Sequence, residues 1–273
     1  MDKVQAKGAQ CTAMNRRDIL AGTLATGAML AVAPRRVFAQ ALPDARTTRL
    51  LDLARREVER AGSALWHRDV VGIADFGLHS SLPRFHFVNL EAGSVDSVLV
   101  AHGSGSDPEH DGWLNAYSNL PDSWATSRGA YITWEWYEGR YGTSVRLGGL
   151  DADNSNAFPR AIVMHPASYA TPEHVARWGK LGRSNGCFAF GPEVFPQALT
   201  RLMGGRLLFA DTLGIGAMGE QVAMPSQQAV DFESAIARRQ APQLAQAAEE
   251  EASTQSLSAI YADANPGITL GSD

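Results

Sequence analysis

Between residues 44 and 62, Leu50, Leu51, Ala54, Val58 and Ala61 recur at three- and four-residue spacing, charged residues from Arg55 to Arg60 fill the gaps, and Gly62 follows. This is the period of an amphipathic helix with a glycine stop, and it predicts an N-terminal helix within residues 42–63. Past it the period changes. Short β-branched or aromatic runs occupy residues 70–76, 84–90, 95–102, 130–137, 143–150, 161–165 and 207–210, separated by turns such as Glu91-Ala92-Gly93-Ser94. Such runs predict strands joined largely by hairpins. Two stretches that open on proline, 172–178 and 192–203, read as helices. The expected fold class is mainly β with a few helices, in one catalytic-sized domain over residues 64–213 that holds all six tryptophans.

The two ends of the chain differ from this middle. Residues 230–248 have helical composition, but residues 214–273 as a whole are acidic and poor in aromatics, and they read as a mobile tail. At the other end, Arg16-Arg17 precedes a Gly/Ala-rich apolar run over residues 19–33, followed by small-residue cleavage options around Ala39 and Ala41. That layout predicts a twin-arginine-like signal peptide over residues 1–41 and export to the periplasm or cell envelope, with only transient membrane contact through this segment.

Charge and cysteine content change meaning once that segment is set aside. The full chain has 24 Lys+Arg against 29 Asp+Glu; without residues 1–41 it has 18 against 27, a net −9. With no basic block, nothing suggests a nucleic-acid partner. Of the two cysteines, Cys11 lies in the leader, so Cys187 would be alone in an oxidising compartment. A cysteine there without a disulfide partner is either buried and inert or a working thiol.

A nucleophilic thiol needs a base or a positive field, and acyl transfer also needs N–H donors at the developing oxyanion. Gly182-Arg183-Ser184-Asn185-Gly186-Cys187 sets the cysteine after a glycine, with Arg183 nearby to favour negative charge, and Ile162-Val163-Met164-His165 ends a strand on a histidine. A zinc reading of His102 and His110 lacks both His-Glu-x-x-His and His-x-His spacing, so no metal is expected.

Ser184-Asn185-Gly186-Cys187 with His165 upstream resembles the signature of the YkuD-type L,D-transpeptidases, which remodel bacterial peptidoglycan. Residues 101–106, 160–165 and 182–189 are similar to the murein L,D-transpeptidase catalytic-domain branch, and the resemblance spans about residues 79–211. Ser127-Arg128-Gly129-Ala130-Tyr131 resembles the family's Thr-Pro-x-Gly-x-aromatic turn, one residue shorter.

The resemblance implies an L,D-transpeptidase-like mixed β-sandwich or barrel without cofactor, acting on peptidoglycan stem peptides. It casts Cys187 as nucleophile, His165 as base, the N–H groups of Gly186 and Cys187 as oxyanion donors, and Ser184 as the group that orients imidazole or substrate. It also implies substrate contacts from Arg183, Asn185, His102, Ser104 and Tyr131. The chain departs from the family at Asn185, where His is commonest, at Pro166, where Gly is frequent, and at Ala189, where Arg or Asn is usual. Two alternatives stay open at this level: a hydrolase, L,D-carboxypeptidase or amidase, on the same dyad, and a non-catalytic wall-binding module built on the aromatic hairpin of Trp134, Trp136, Tyr137 and Tyr141.

Overall fold

The computed structural model describes residues 44–140 and 142–264, except the side chains of residue 253 and of those beyond 255. The chain separates into two units, Met1–Ala41 and Leu42–Asp273. The first, where the export signal is expected, lies outside the described residues.

Helix α1 (Ala45–Ala61) starts where the Asp44 carboxylate accepts the Thr47 N–H at 2.7 Å and ends at Gly62, whose φ of 54° suits a residue without Cβ. Its buried face, Leu50, Leu51, Leu53, Ala54 and Val58, packs on Val71, Ile73, Val88, Leu207 and Phe209. These belong to β1 (Val70–Asp75), β2 (Phe85–Asn89) and β8 (Leu207–Asp211). Because side chains alternate along a strand, the intervening residues, among them Ala74, Phe85, Phe87, Leu208 and Ala210, face the opposite way. They form the larger core with Phe188, Phe190 and Phe195.

The remaining strands are β3 (Ser94–Val98), β4 (Gly129–Gly139), β5 (Gly142–Gly149), β6 (Val163–Pro166) and β7 (Phe188–Phe190). Together they make one eight-stranded mixed sheet in the order β3-β2-β1-β8-β4-β5-β6-β7. Pairing is parallel only at β1–β8 and β6–β7. The sheet curls until its ends meet: Ala101, just beyond β3, exchanges backbone hydrogen bonds with Ala189 of β7. The run expected over 95–102 is therefore two pieces, a strand on β2 and then a short bridge to β7.

The helices are α2 (Pro172–Trp178), α3 (Phe195–Leu202) and α4 (Phe232–Ala264), so the tail carries a 33-residue helix, longer than its composition foretold. Strand β7 had no counterpart in the sequence reading. It is three residues long and buried throughout, so it shows no alternation of polar and apolar positions.

Candidate active site

The parallel pairing of β6 and β7 sets Met164 opposite Phe188 and His165 opposite Ala189. One residue earlier, Cys187 falls opposite Val163. Cys187 directly precedes β7, two residues before the Ala189 that pairs with His165. The thiol lies 3.8 Å from the Ala161 carbonyl and is hydrogen bonded to the Val163 backbone.

Burial dominates the electrostatics of both groups. Cys187 is 8% exposed, and desolvation pushes its thiol up to about 11, against the opposing pull of the Val163 N–H and the Arg160 charge. His165 is 3% exposed, and burial holds it below the ordinary imidazole value. Its Nδ1 sits 3.0 Å from the Pro166 carbonyl, which can only accept, so Nδ1 carries the proton and Nε2 keeps the lone pair. At neutral pH the pair is thus a thiol and a neutral imidazole.

The loop before Cys187 is fixed by its own hydroxyl. Ser184 Oγ donates to the Cys187 carbonyl at 2.7 Å and accepts the Gly186 N–H at 3.2 Å. Gly186 has a φ of 109°, and a Cβ there would lie 2.8 Å from the Ala125 carbonyl and 2.9 Å from Ile162 Cδ1, so only glycine fits. This revises two expectations. Ser184 braces the loop rather than the imidazole, and the Gly186 N–H is spent on Ser184. The Cys187 N–H has no acceptor among the described residues.

Next to Cys187 opens a cleft of about 340 Å³, lined by Pro121, Asp122, Trp124, Arg160, Ala161 and Asn185. Of the expected substrate contacts, Asn185 alone lines it, and its side chain is exposed. A comparable apolar groove of about 390 Å³, with Pro83, Leu99, Ala170 and Val194 in its walls, carries no nucleophile.

The other expected contacts are engaged elsewhere. His102 is 1% exposed, with Arg84 Nη2 donating to its Nδ1 at 2.6 Å and its Nε2 facing Asp107 Oδ2 at 3.3 Å. Tyr131 is wholly buried and donates its hydroxyl to the Ser127 carbonyl at 2.8 Å. Arg183 turns to the Asp107 carbonyl, with the Pro108 carbonyl 3.4 Å away. Ser104 donates its N–H to the Ser184 carbonyl at 2.8 Å, and Ser184 returns its N–H to the His102 carbonyl at 2.9 Å. The side chains of His102, Tyr131 and Arg183 are thus already paired within the fold, and Ser104 is tied to Ser184 by its backbone.

Arg160 was not singled out by sequence. Its Nη1 donates to the Ser118 carbonyl (2.9 Å) and Ser127 Oγ (2.7 Å), and its Nη2 to Ser123 Oγ (3.1 Å) and the Ala125 carbonyl (2.6 Å). The only local signal was an arginine at the head of the Ala-Ile-Val-Met-His run. On the outer rim, Arg239 of α4 lies 4.3 Å over the Trp124 ring and donates to the Asp122 carbonyl at 2.8 Å, while Gln240 donates to the Asp122 carboxylate at 2.9 Å.

The family profile of the L,D-transpeptidase catalytic domain (YkuD_2) matches residues 46–210, more than half of the chain. No curated protein matches by sequence. Among solved structures, an L,D-transpeptidase from Mycobacterium smegmatis is 15% identical with a TM-score of 0.33, over 52% of this chain and 58% of its own. L,D-transpeptidase 3 from Mycobacterium tuberculosis, with a faropenem-derived adduct, is 15% identical with a TM-score of 0.34, over 52% and 60%. The helical cell shape determining protein Pgp2 (K307A mutant) from Campylobacter jejuni is 12% identical with a TM-score of 0.35, over 75% and 65%. The chain spans about three fifths of the length of the structures it matches, and the assignment rests on the profile. The chain belongs to the L,D-transpeptidase catalytic domain family, with the curled, mainly β sheet and few helices expected of it.

Proposed function

We propose that the protein is an exported cysteine acyltransferase that remodels peptidoglycan, working in the periplasm or cell envelope on stem tetrapeptides. The observation that supports this reading is the β6–β7 register, which pairs His165 with Ala189, two residues after Cys187, while Ala161 and Asn185 nearby line an open cleft. No described helix is long and apolar enough to cross a membrane.

In the first half-reaction His165 Nε2 takes the thiol proton while Cys187 Sγ attacks the amide carbonyl between diaminopimelate and the terminal D-Ala. The Cys187 N–H faces the developing oxyanion. The amide C–N bond breaks, the imidazolium returns its proton to the departing D-Ala amine, and a thioester remains. In the second half-reaction an amine of another stem attacks the thioester, His165 accepts its proton and passes it to sulfur, and a cross-link forms. Asn185 and the Trp124 face supply a hydrogen-bonding group and a flat apolar surface for the stem.

Incubation of the purified protein with disaccharide-tetrapeptide, followed by mass spectrometry of protein and products, tests the proposal. A Cys187 adduct with released D-Ala and a dimeric product is expected. The adduct with tripeptide alone would make water the acceptor and the enzyme a hydrolase on the same dyad. No adduct from folded protein with a titratable thiol would overturn the reading in favour of a wall-binding role.

A further inference from the structure

Several arginines of the described residues face carboxylates: Arg60 meets Asp151, Arg128 meets Asp211, Arg201 meets Asp96 and Arg206 meets Asp69. Arg160 does not. Its four hydrogen-bond acceptors are two backbone carbonyls and two serine hydroxyls, all neutral, and it forms no ion pair among the described residues. Leaving a half-buried guanidinium unneutralised is costly, and that cost points to an anion that is present only part of the time.

Where that anion would be follows from Gly186. A Cβ built there would lie 3.2 Å from Arg160 Nη2, so the guanidinium packs close to the residue that precedes Cys187. We propose that Arg160 is a positioning residue for the charged form of Cys187: the 118–127 wall fixes its guanidinium, and the fixed charge stabilises the thiolate and the thioester-forming oxyanion beside it. The inference rests on Cys187 being the nucleophile. A charge that is already oriented costs no reorganisation when negative charge develops, and the four bonds from one loop supply that orientation. The same bonds would also serve a purely structural clamp, so the test separates charge from bonding.

The ionisable groups around this pair are few. His165 comes from β6, Tyr131 from β4, Asp122 from the wall and Arg239 from α4. Burial raises the Tyr131 phenol, so it stays neutral through the working range, and the Asp122 carboxylate, hydrogen bonded by Gln240, keeps its charge near Arg160 in wild type and variants alike. Moving the Arg160 charge should therefore be read directly at the thiol.

The experiment is the rate of iodoacetamide alkylation of Cys187 against pH in the full chain, for wild type, R160Q and R160K, with a thermal melt of each. R160Q keeps a hydrogen-bonding end without charge; R160K keeps the charge with fewer bonds. The R160Q midpoint should rise by about one pH unit, a roughly tenfold loss of rate at neutral pH. R160K should stay within about threefold of wild type. Equal losses in the two variants, or an unmoved R160Q midpoint, would overturn the role of Arg160 while leaving Cys187 as nucleophile. A wild-type thiol that resists alkylation at every pH in folded protein would instead overturn the reading on which the inference rests. Should R160Q fail to fold, the Ser123→Ala/Ser127→Ala double variant keeps the charge but frees it to swing, and its midpoint should rise; an unmoved one would overturn the proposal.

Discussion

Two arginines stand near the Cys187 loop, Arg84 by way of His102 and Arg160 close to Gly186, and they are solvated in different ways. Arg84 is wholly buried; it donates to the Val100 carbonyl at 3.1 Å, the Leu78 carbonyl at 2.9 Å and His102 at 2.6 Å. His102 hands the chain of bonds on to the Asp107 carboxylate, which also accepts the N–H groups of Asp111 and Gly112. That charge ends on a carboxylate. Arg160 meets neutral acceptors only and borders the cleft. The difference teaches how to tell scaffold from chemistry when two residues of one type look alike in sequence. A buried cation whose bonds terminate in an anion has its field cancelled locally, whereas one held by dipoles alone keeps a field for charge that appears later.

The largest effect belongs to the cleft side. Cys187→Ala should lower turnover of disaccharide-tetrapeptide by more than roughly 10³-fold, with an unchanged melting curve, as D-Ala release and calorimetry would show. Turnover retained at a tenth or more of wild type would remove the nucleophile from that side and the comparison with it.

Arg84→Met should do the reverse. It leaves His102 Nδ1 and two carbonyls without their donor inside the core, a loss on the order of 3–5 kcal/mol in denaturant melts. Cys187 alkylation per folded molecule should stay near wild type. A variant that melts normally but alkylates slowly would place Arg84 among the chemical groups and erase the distinction.

How much of this could be read beforehand follows the range of the interactions. Helix α1 and the strands β1 to β6 follow local periodicity, and Cys187 and His165 stand out as candidates because a loop motif and a strand end sit in one short stretch of chain. What escaped was non-local. Arg160 owes its place to acceptors 33 to 42 residues earlier in the chain, which no motif spacing records. The resemblance implies substrate contacts from His102 and Tyr131, but both side chains are buried, where Arg84 and the Ser127 carbonyl claim them. Arg183 turns to the Asp107 carbonyl for the same reason: proximity in sequence to Cys187 is not proximity to its thiol.

Acidity should distinguish the two sides next. Burial first, and then Arg84, holds His102 down at about 4, and burial holds His86, which lies under α1, at about 3. Protonating His102 Nδ1 would set two cations face to face. Both histidines are lower in the folded than in the unfolded chain, where the value is about 6.5. The stability they contribute is present above about pH 6.5 and is lost as the pH falls through that value toward 4 and then 3, by up to about 1.4 kcal/mol per pH unit for each. Urea melts between pH 7 and 4.5 should show this slope, and His102→Gln should remove one share of it. Identical slopes in wild type and variant would mean that the Arg84 side is not what acid attacks.

The smallest effect lies on the outer rim, where the cleft side has its own outer support. Arg239 stacks over Trp124 at 4.3 Å and bonds the carbonyls of Asp122 and Ser123, in a segment where Asp122 and Trp124 hold φ near 57° and 56°. An exposed cation–π contact is worth about 0.5–1 kcal/mol. Arg239→Ala should therefore raise KM for the stem peptide about two- to fivefold, because Trp124 loses its backing, while the alkylation midpoint of Cys187 stays put. A shifted midpoint would show that α4 reaches the thiol through the wall and Arg160. In that case the cleft side, like the Arg84 side, would be a relay of charge running several residues deep, and its outermost member would be the C-terminal helix.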